Sequence, residues 1–464
     1  MMGIDRTSLL GRVDDFLFRS VPIFPLITFR VFFGLLIAFS TYRFMAEGWV
    51  ESHYVDPVFF FKYPGFAWVE PFGGSTMLLL HYLLIAGGLC IALGLYYRVA
   101  TVLVFLLFTY TELIDLTYYL NHYYFVSLLS FLMICLPANR FFSLDILFRK
   151  RPVSLRVQHW HIAILKFMIA LVYVYAGLAK INADWLLSAM PLKLWLPAHD
   201  DLFLIGPLLQ KEWLAYAFSW FGMLFDSCIV FVLLNRKLRP FAYVLVIVFH
   251  LLTAVLFQIG VFPYVMICAV LIFFSNRWHF KIYAFLTGLF DLGKSTMPRP
   301  AGVGYSKVQK LPYRSLIRYL LLSFVLFQLL FPWRYLMYSS DLFWKEEGYR
   351  FSWRVMLMEK SGSATFYLKK APEGRKLRID NREFLTHHQE KQMATQPDLI
   401  YQYVDLLEEH FRERGVDDPI ICSEIWVTLN GRPSALYFPK DFDLSGVHSY
   451  TEFLGSMLEK PMEE

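Results

Sequence analysis

The run H-I-A-I-L-K-F-M-I-A-L-V-Y-V-Y at 161–175 carries a single lysine, and stretches like it recur along the chain. A bilayer's hydrocarbon core, about 30 Å thick, has no water to satisfy backbone hydrogen bonds. A helix of roughly 20 apolar residues is therefore the simplest way to cross it. Apolar windows fall near 23–44, 76–96, 99–118, 122–137, 161–180, 213–234, 241–257, 261–275 and 313–332. They predict a polytopic α-helical membrane domain of about nine transmembrane helices over 1–334. The fourth, seventh and eighth windows are short, which suits tilted, re-entrant or neighbour-buried segments. Composition agrees: 57% of residues are hydrophobic, 18% are charged and the mean hydropathy is +0.45. Soluble domains average about 25% charged.

Charge sets the expected orientation. Cations gather in 138–160, in N-R-K-L-R-P at 235–240, in 276–312 and at the N-terminus, whereas 45–75 and 181–212 lean acidic. Basic loops stay in the cytoplasm. That puts the N-terminus inside and, after an odd number of spans, the C-terminus on the exoplasmic or periplasmic side. Beyond about residue 335 the pattern changes to short alternating runs, R-F-S-W-R-V-M-L-M, A-T-F-Y-L, K-L-R-I-D, I-W-V-T-L and S-A-L-Y-F, around a polar helical stretch at about 389–414. These predict a small β-rich α+β extramembrane domain over 335–464. Residues 282–312, with K-S-T-M-P-R-P-A-G-V-G, read as a flexible cytoplasmic linker.

Several function classes drop out. The net charge of +6 is diffuse and forms no basic stripe, which argues against nucleic acid. Five scattered cysteines make neither a disulfide framework nor a CxxC site, and no H-x-x-H or H-E-x-x-H occurs, so no metal is expected. G-x-S-x-G, G-x-G-x-x-G and P-loop signatures are absent.

Ionisable groups within spans are costly and become functional candidates. Lys180 closes the fifth window, His122 opens the fourth beside Asn121, His250 lies within the seventh and Asp226 within the sixth. All four fall toward the side expected to carry the C-terminal domain. Each also has an ordinary role open to it. Lys180 can snorkel to the interface beside Trp185, His122 can be interfacial, His250 can be a bonded core histidine and Asp226 can satisfy a neighbouring helix. A lysine at the edge of an apolar cavity has a chemical use as well, because desolvation favours its neutral amine and hence a general base.

Taken together, Y-A-G-L-A-K-I-N-A-D-W (175–185), L-N-H-Y-Y (120–124), H-L-L-T-A-V-L-F-Q-I-G-V-F-P-Y-V-M (250–266), G-Y-R-F-S-W-R-V-M (348–356) and E-I-W-V-T-L-N-G-R (424–432) resemble the vitamin K-dependent gamma-glutamyl carboxylases and their bacterial relatives with an HTTM membrane domain. The resemblance runs from about residue 20 to about 445 and fits a bacterial-type homologue. It implies that Lys180 deprotonates reduced vitamin K (phylloquinone or menaquinone hydroquinone), which reacts with O2 to give a strongly basic alkoxide and ends as the epoxide. That base takes the γ-proton of a glutamate in a peptide or protein substrate, and CO2 adds to give γ-carboxyglutamate. By the same resemblance His122, Asn121 and His250 are active-site residues, Phe262, Tyr264 and Met266 line the quinone pocket, and Tyr349 and Trp353 belong to the glutamate-substrate motif. Two other functions stay open: a quinol epoxidase that does not carboxylate glutamate, and a non-catalytic quinone-binding assembly protein.

Overall fold

The computed structural model describes residues 9–149, 153–203, 205–257, 259–289, 313–371 and 373–460. Each apolar window is mainly helical. The helices are α1 (Leu9–Phe18), α2 (Phe24–Ala46), α3 (Gly74–Leu93), α4 (Tyr97–Leu113), α5 (Asn121–Cys135), α6 (Trp160–Ala179), α7 (Glu212–Leu234), α8 (Arg239–Leu256), α9 (Phe262–Ala269), α10 (Asn276–Leu289) and α11 (Arg314–Leu330). Among the described residues six helices are long and apolar enough to cross a membrane, or seven if Phe262–Phe273 and Asn276–Leu286, bent by 107°, form one broken span. The expectation of nine is thus not confirmed. Hydropathy windows register composition, not helix length. The window 99–118 loses its end where Asp115 accepts the Thr117 N–H at 2.9 Å and starts a separate turn, leaving α4 with 17 residues. At 1.5 Å per residue the 15-residue α5 covers only about 22 Å. The expected linker begins inside α10, and 290–312 lie outside the described residues.

Small residues draw the helices together, since lipid offers no hydrophobic drive for helix association. A Cβ on Gly34 would sit 2.4 Å from the Ala92 N, and one on Gly177 2.4 Å from the Ser227 Oγ, so α2 meets α3 and α6 meets α7 almost backbone to backbone. At one end of the bundle the fully buried Arg30 donates to the carbonyls of Ala138 (3.0 Å) and Ala92 (3.2 Å), while the Asp145 carboxylate takes the N–H groups of Tyr96 and Tyr97 at the start of α4.

The other end is capped by a four-stranded antiparallel sheet of order β2-β1-β3-β4: β1 (Lys360–Lys369), β2 (Leu377–Arg378), β3 (Ile420–Leu429) and β4 (Ala435–Leu436). β1 and β3 pair over ten positions, Lys360 opposite Leu429 through Lys369 opposite Ile420. The predicted polar helix is two, α12 (His387–Met393) and α13 (Pro397–Glu413), the latter starting at a proline that suits the first turn. Leu399, Ile400, Tyr403, Val404 and Leu407 of α13 join Phe366, Ile425 and Val427 of the sheet in one core.

One expected strand is not a strand. Residues 350–358 alternate like one, yet they run as turns and irregular chain, with positive φ at Phe351 (58°), Trp353 (59°) and Met356 (54°). Non-glycine residues are uncommon there, and such strain persists only where surroundings enforce it. They do so here. The Tyr119 hydroxyl accepts the Phe351 N–H at 2.7 Å and the Asn121 amide donates to the Arg354 carbonyl at 2.7 Å. The Trp353 ring is buried against Tyr124 (5.1 Å) and Phe125 (6.0 Å) of α5. The cap is further tied by Lys62 to Gln402, by Gln389 to Asp115, and by Asp184 to Arg432 (2.6 Å) and Asn430 (2.7 Å).

Candidate active site

Two chambers meet beneath the cap. The first, about 370 Å³, lies among α6, α7, α8 and α9 and is lined almost wholly by carbon, including Val172, Phe218, Phe221, Phe249, Leu256, Phe262 and Met266. Its polar groups are few: Lys180, Asp226, His250, Tyr173 and Thr253. The second, about 480 Å³, lies between bundle and cap and is polar, with Asn121, His122, Tyr349, Arg43, Arg350, Arg354, Glu346 and Lys360 in its wall. Ile259, Phe262, Val355 and Met356 line both, so the strained 351–356 segment and the start of α9 form the partition.

Lys180 sits where α6 ends. Its Nζ lies 2.8 Å from Asp226 Oδ2, 3.2 Å from the Ala176 carbonyl and 5.3 Å from the Trp185 ring centroid. Both side chains of the pair are under a tenth exposed. Lys180 therefore does not snorkel into water. Asp226 does satisfy a neighbouring helix, and the group it meets there is the candidate base. The Ala-Gly before the lysine has its explanation in the same contact: Gly177 lets α7 approach closely enough for Asp226 to reach Lys180.

Tyr173, two helical turns before Lys180, bonds His250 Nε2 at 2.7 Å, and His250 Nδ1 is buried with no hydrogen-bond partner among the described residues. An orphaned ring nitrogen in an otherwise dry chamber is a ready partner for a ligand's hydroxyl or carbonyl.

The structure thus brings Lys180 and His250 into the apolar chamber and puts His122 and Asn121 in the polar one. The Phe262 ring stands between the imidazoles, 6.1 Å from His250 and 5.7 Å from His122. Met266 faces the apolar chamber, whereas Tyr264 is 48% exposed and lines neither. Tyr349 lines the polar chamber; Trp353 lies in the bundle core behind it. The Asn121 amide is engaged at both ends, accepting from the Tyr119 hydroxyl at 3.0 Å and holding Arg354.

Sequence reasoning missed Tyr173, Arg43 and Arg354. The first was findable from its seven-residue spacing to Lys180 on one helix face. Arg43 was findable as a cation at the acidic end of the first span. In the cap, burial pushes Lys360 down, but Glu346 at 2.6 Å outweighs it and holds the ammonium above its usual range.

Helices long enough to span a bilayer, a dry chamber holding a lysine–carboxylate pair, and a sheet-containing cap over a second, polar chamber define a polytopic membrane protein with a candidate site at the bundle–cap junction. A family profile for the HTTM domain matches residues 18–278, and one for the vitamin K-dependent gamma-carboxylase lumenal domain matches residues 313–455. The chain belongs to the vitamin K-dependent gamma-carboxylase family. No solved structure matches it.

Proposed function

We propose that the chain is a bacterial-type gamma-glutamyl carboxylase that oxidises reduced vitamin K with O2 and carboxylates glutamate side chains with CO2. The observation that carries this reading is the buried Lys180–Asp226 pair in an apolar chamber divided from a polar one by a single wall. A chamber of about 370 Å³ falls within the usual range for small-molecule sites, and its carbon lining with one orphaned ring nitrogen suits a quinol ring. Phe262 and Met266 would pack the ring and His250 would bond its oxygen, while the 48%-exposed Phe221 offers a greasy route from the bilayer.

When bound, reduced vitamin K with O2 supplies a base strong enough to take a glutamate γ-proton, which no side chain manages at neutral pH. The protein's own part is assigned to Lys180 in its neutral amine form: Nζ accepts the hydroxyl proton, and Asp226 Oδ2, 2.8 Å away, steadies the ammonium so formed. The aromatic lining excludes water, and the polar chamber receives the glutamyl side chain beside His122, with Tyr349 in the same wall. The cap is assigned to the exoplasmic or periplasmic side from the basic loops at the opposite end. That side follows from the odd count among the described residues, seven, in which Phe262–Phe273 makes a crossing; the short helices α4 and α5 form a hairpin, so counting both or neither leaves the parity unchanged.

The test is incubation of purified protein with reduced quinone, labelled bicarbonate and a glutamate-rich peptide. Label in the peptide together with epoxide supports the carboxylase. Epoxide alone, with or without peptide, identifies an epoxidase that does not carboxylate. Full epoxidation by Lys180→Ala removes the lysine from its role, and no turnover by wild type leaves the assembly-protein reading.

A further inference from the structure

We infer that Arg43 is the carboxylate-binding residue of the polar chamber and that its ligand is the γ-carboxylate of a glutamyl side chain. The inference rests on the proposed function and adds to it a residue for recognising the substrate's charge.

The other cations of that chamber are already engaged. Arg350 is bonded to Asp398 and Gln396. Lys360 is paired with Glu346 and donates to the Trp344 and Thr395 carbonyls. The Arg354 guanidinium lies over the Tyr335 ring at 4.3 Å and bonds that side chain, although its Nε, too, is buried without an acceptor. Arg43 differs. It lies in the last turn of α2 and lines the polar chamber in company with His122 and Asn121, and its side chain has no hydrogen bond or ion pair to any described residue. Its Nε is buried and unpartnered, and the guanidinium packs on the Trp49 ring at 4.9 Å. Glu112 shares a small hollow of about 50 Å³ with it, but the two form no ion pair.

A half-buried guanidinium whose Nε is sealed from water without an acceptor is stabilised when an anion joins it. Its planar fork matches a carboxylate in two parallel hydrogen bonds, and the Trp49 face fixes its plane. Chemistry asks for such a group here. Removing a proton from the carbon beside a carboxylate places a second negative charge next to the first, and adding CO2 leaves two carboxylates on one carbon. A preorganised cation at the first carboxylate lowers the energy of both.

The experiment measures equilibrium binding of a short glutamyl peptide to the full chain in detergent, without turnover, against the same peptide carrying glutamine. Wild type should prefer the glutamyl form by about tenfold or more, from one charge-assisted pair. Arg43→Gln should abolish that preference, and Arg43→Lys should retain part of it. Glutarate should compete at concentrations where bicarbonate does not; the reverse order would assign the site to inorganic bicarbonate and overturn the proposal. Equal binding of both peptides by wild type, or an unchanged preference in Arg43→Gln, would also overturn it. If Arg43→Gln does not fold, Arg43→Lys and the wild-type peptide comparison still decide. These readouts are separate from epoxide formation, so the inference can fail while the carboxylase reading stands.

Discussion

The Lys180–Asp226 pair gives the sharpest test of the site, through a double-mutant cycle of Lys180→Met and Asp226→Leu. The side chains are 7% and 8% exposed and meet at 2.8 Å, so solvent screening takes little from the interaction. Removing one partner of such a pair leaves a buried charge uncompensated and costs about 3–5 kcal/mol, whereas replacing both by apolar groups of similar volume is close to neutral. When Asp226 is lost, Lys180 retains, among the described residues, only the Ala176 carbonyl at 3.2 Å and the Trp185 ring at 5.3 Å. That cation–π contact offsets about 0.5–2 kcal/mol at most. Each single variant should therefore unfold markedly more easily than wild type, and the double variant should recover most of the loss. The coupling should be at least about 4 kcal/mol, on the order of a thousandfold in an equilibrium constant. The assay is denaturation of the detergent-solubilised full chain followed by near-UV circular dichroism. Should the double variant lose the sum of the two singles, the side chains are not paired in the folded protein, and the account of Lys180 as a carboxylate-steadied proton acceptor is wrong.

Other outcomes follow from the same geometry. Gly177→Ala would set a Cβ 2.5 Å from the Ser227 backbone N, forcing α6 from α7 at about 1–3 kcal/mol and lengthening the Lys180–Asp226 contact; Gly222→Ala, whose Cβ meets only Trp185 at 3.8 Å, should be tolerated. Parallel melting curves and turnover measurements would check the contrast. Tyr173→Phe removes His250's one side-chain hydrogen-bond partner among the described residues and should cost about 1–3 kcal/mol and weaken quinol binding; unchanged affinity would detach His250 from that ligand. Burial pushes the Asp184 carboxyl up, but hydrogen bonds from Arg432 and Asn430 outweigh it and hold the group below its usual range. A depressed carboxyl stabilises the fold above its unfolded value of about 3.9, and that stabilisation disappears as pH falls further through the folded value. Hydrogen exchange at Asn430–Arg432 should thus stay slow from pH 7 to about 4 and rise below it. Asp184→Asn should exchange faster throughout, and loosening of wild type already between pH 7 and 5 would refute the assignment.

Sequence alone determined that this chain lies in a membrane, because long carbon-rich runs have no other stable place for their backbones. It also singled out Lys180, His122 and His250, since ionisable groups in such runs are rare enough to stand out. The number of crossing helices was less legible, because Asp115 ends α4 inside an unbroken hydropathy window. The strand expected at 350–358 failed for a related reason: alternation records which side chains are apolar, while Tyr119 and Asn121 claimed the backbone bonds a strand would have needed. Which charge faces which was decided only in three dimensions. Lys180 and Asp226 are 46 residues apart on different helices, and their meeting depends on a glycine that lets two backbones touch. Periodicity describes one helix at a time, but a site is made where several pack together.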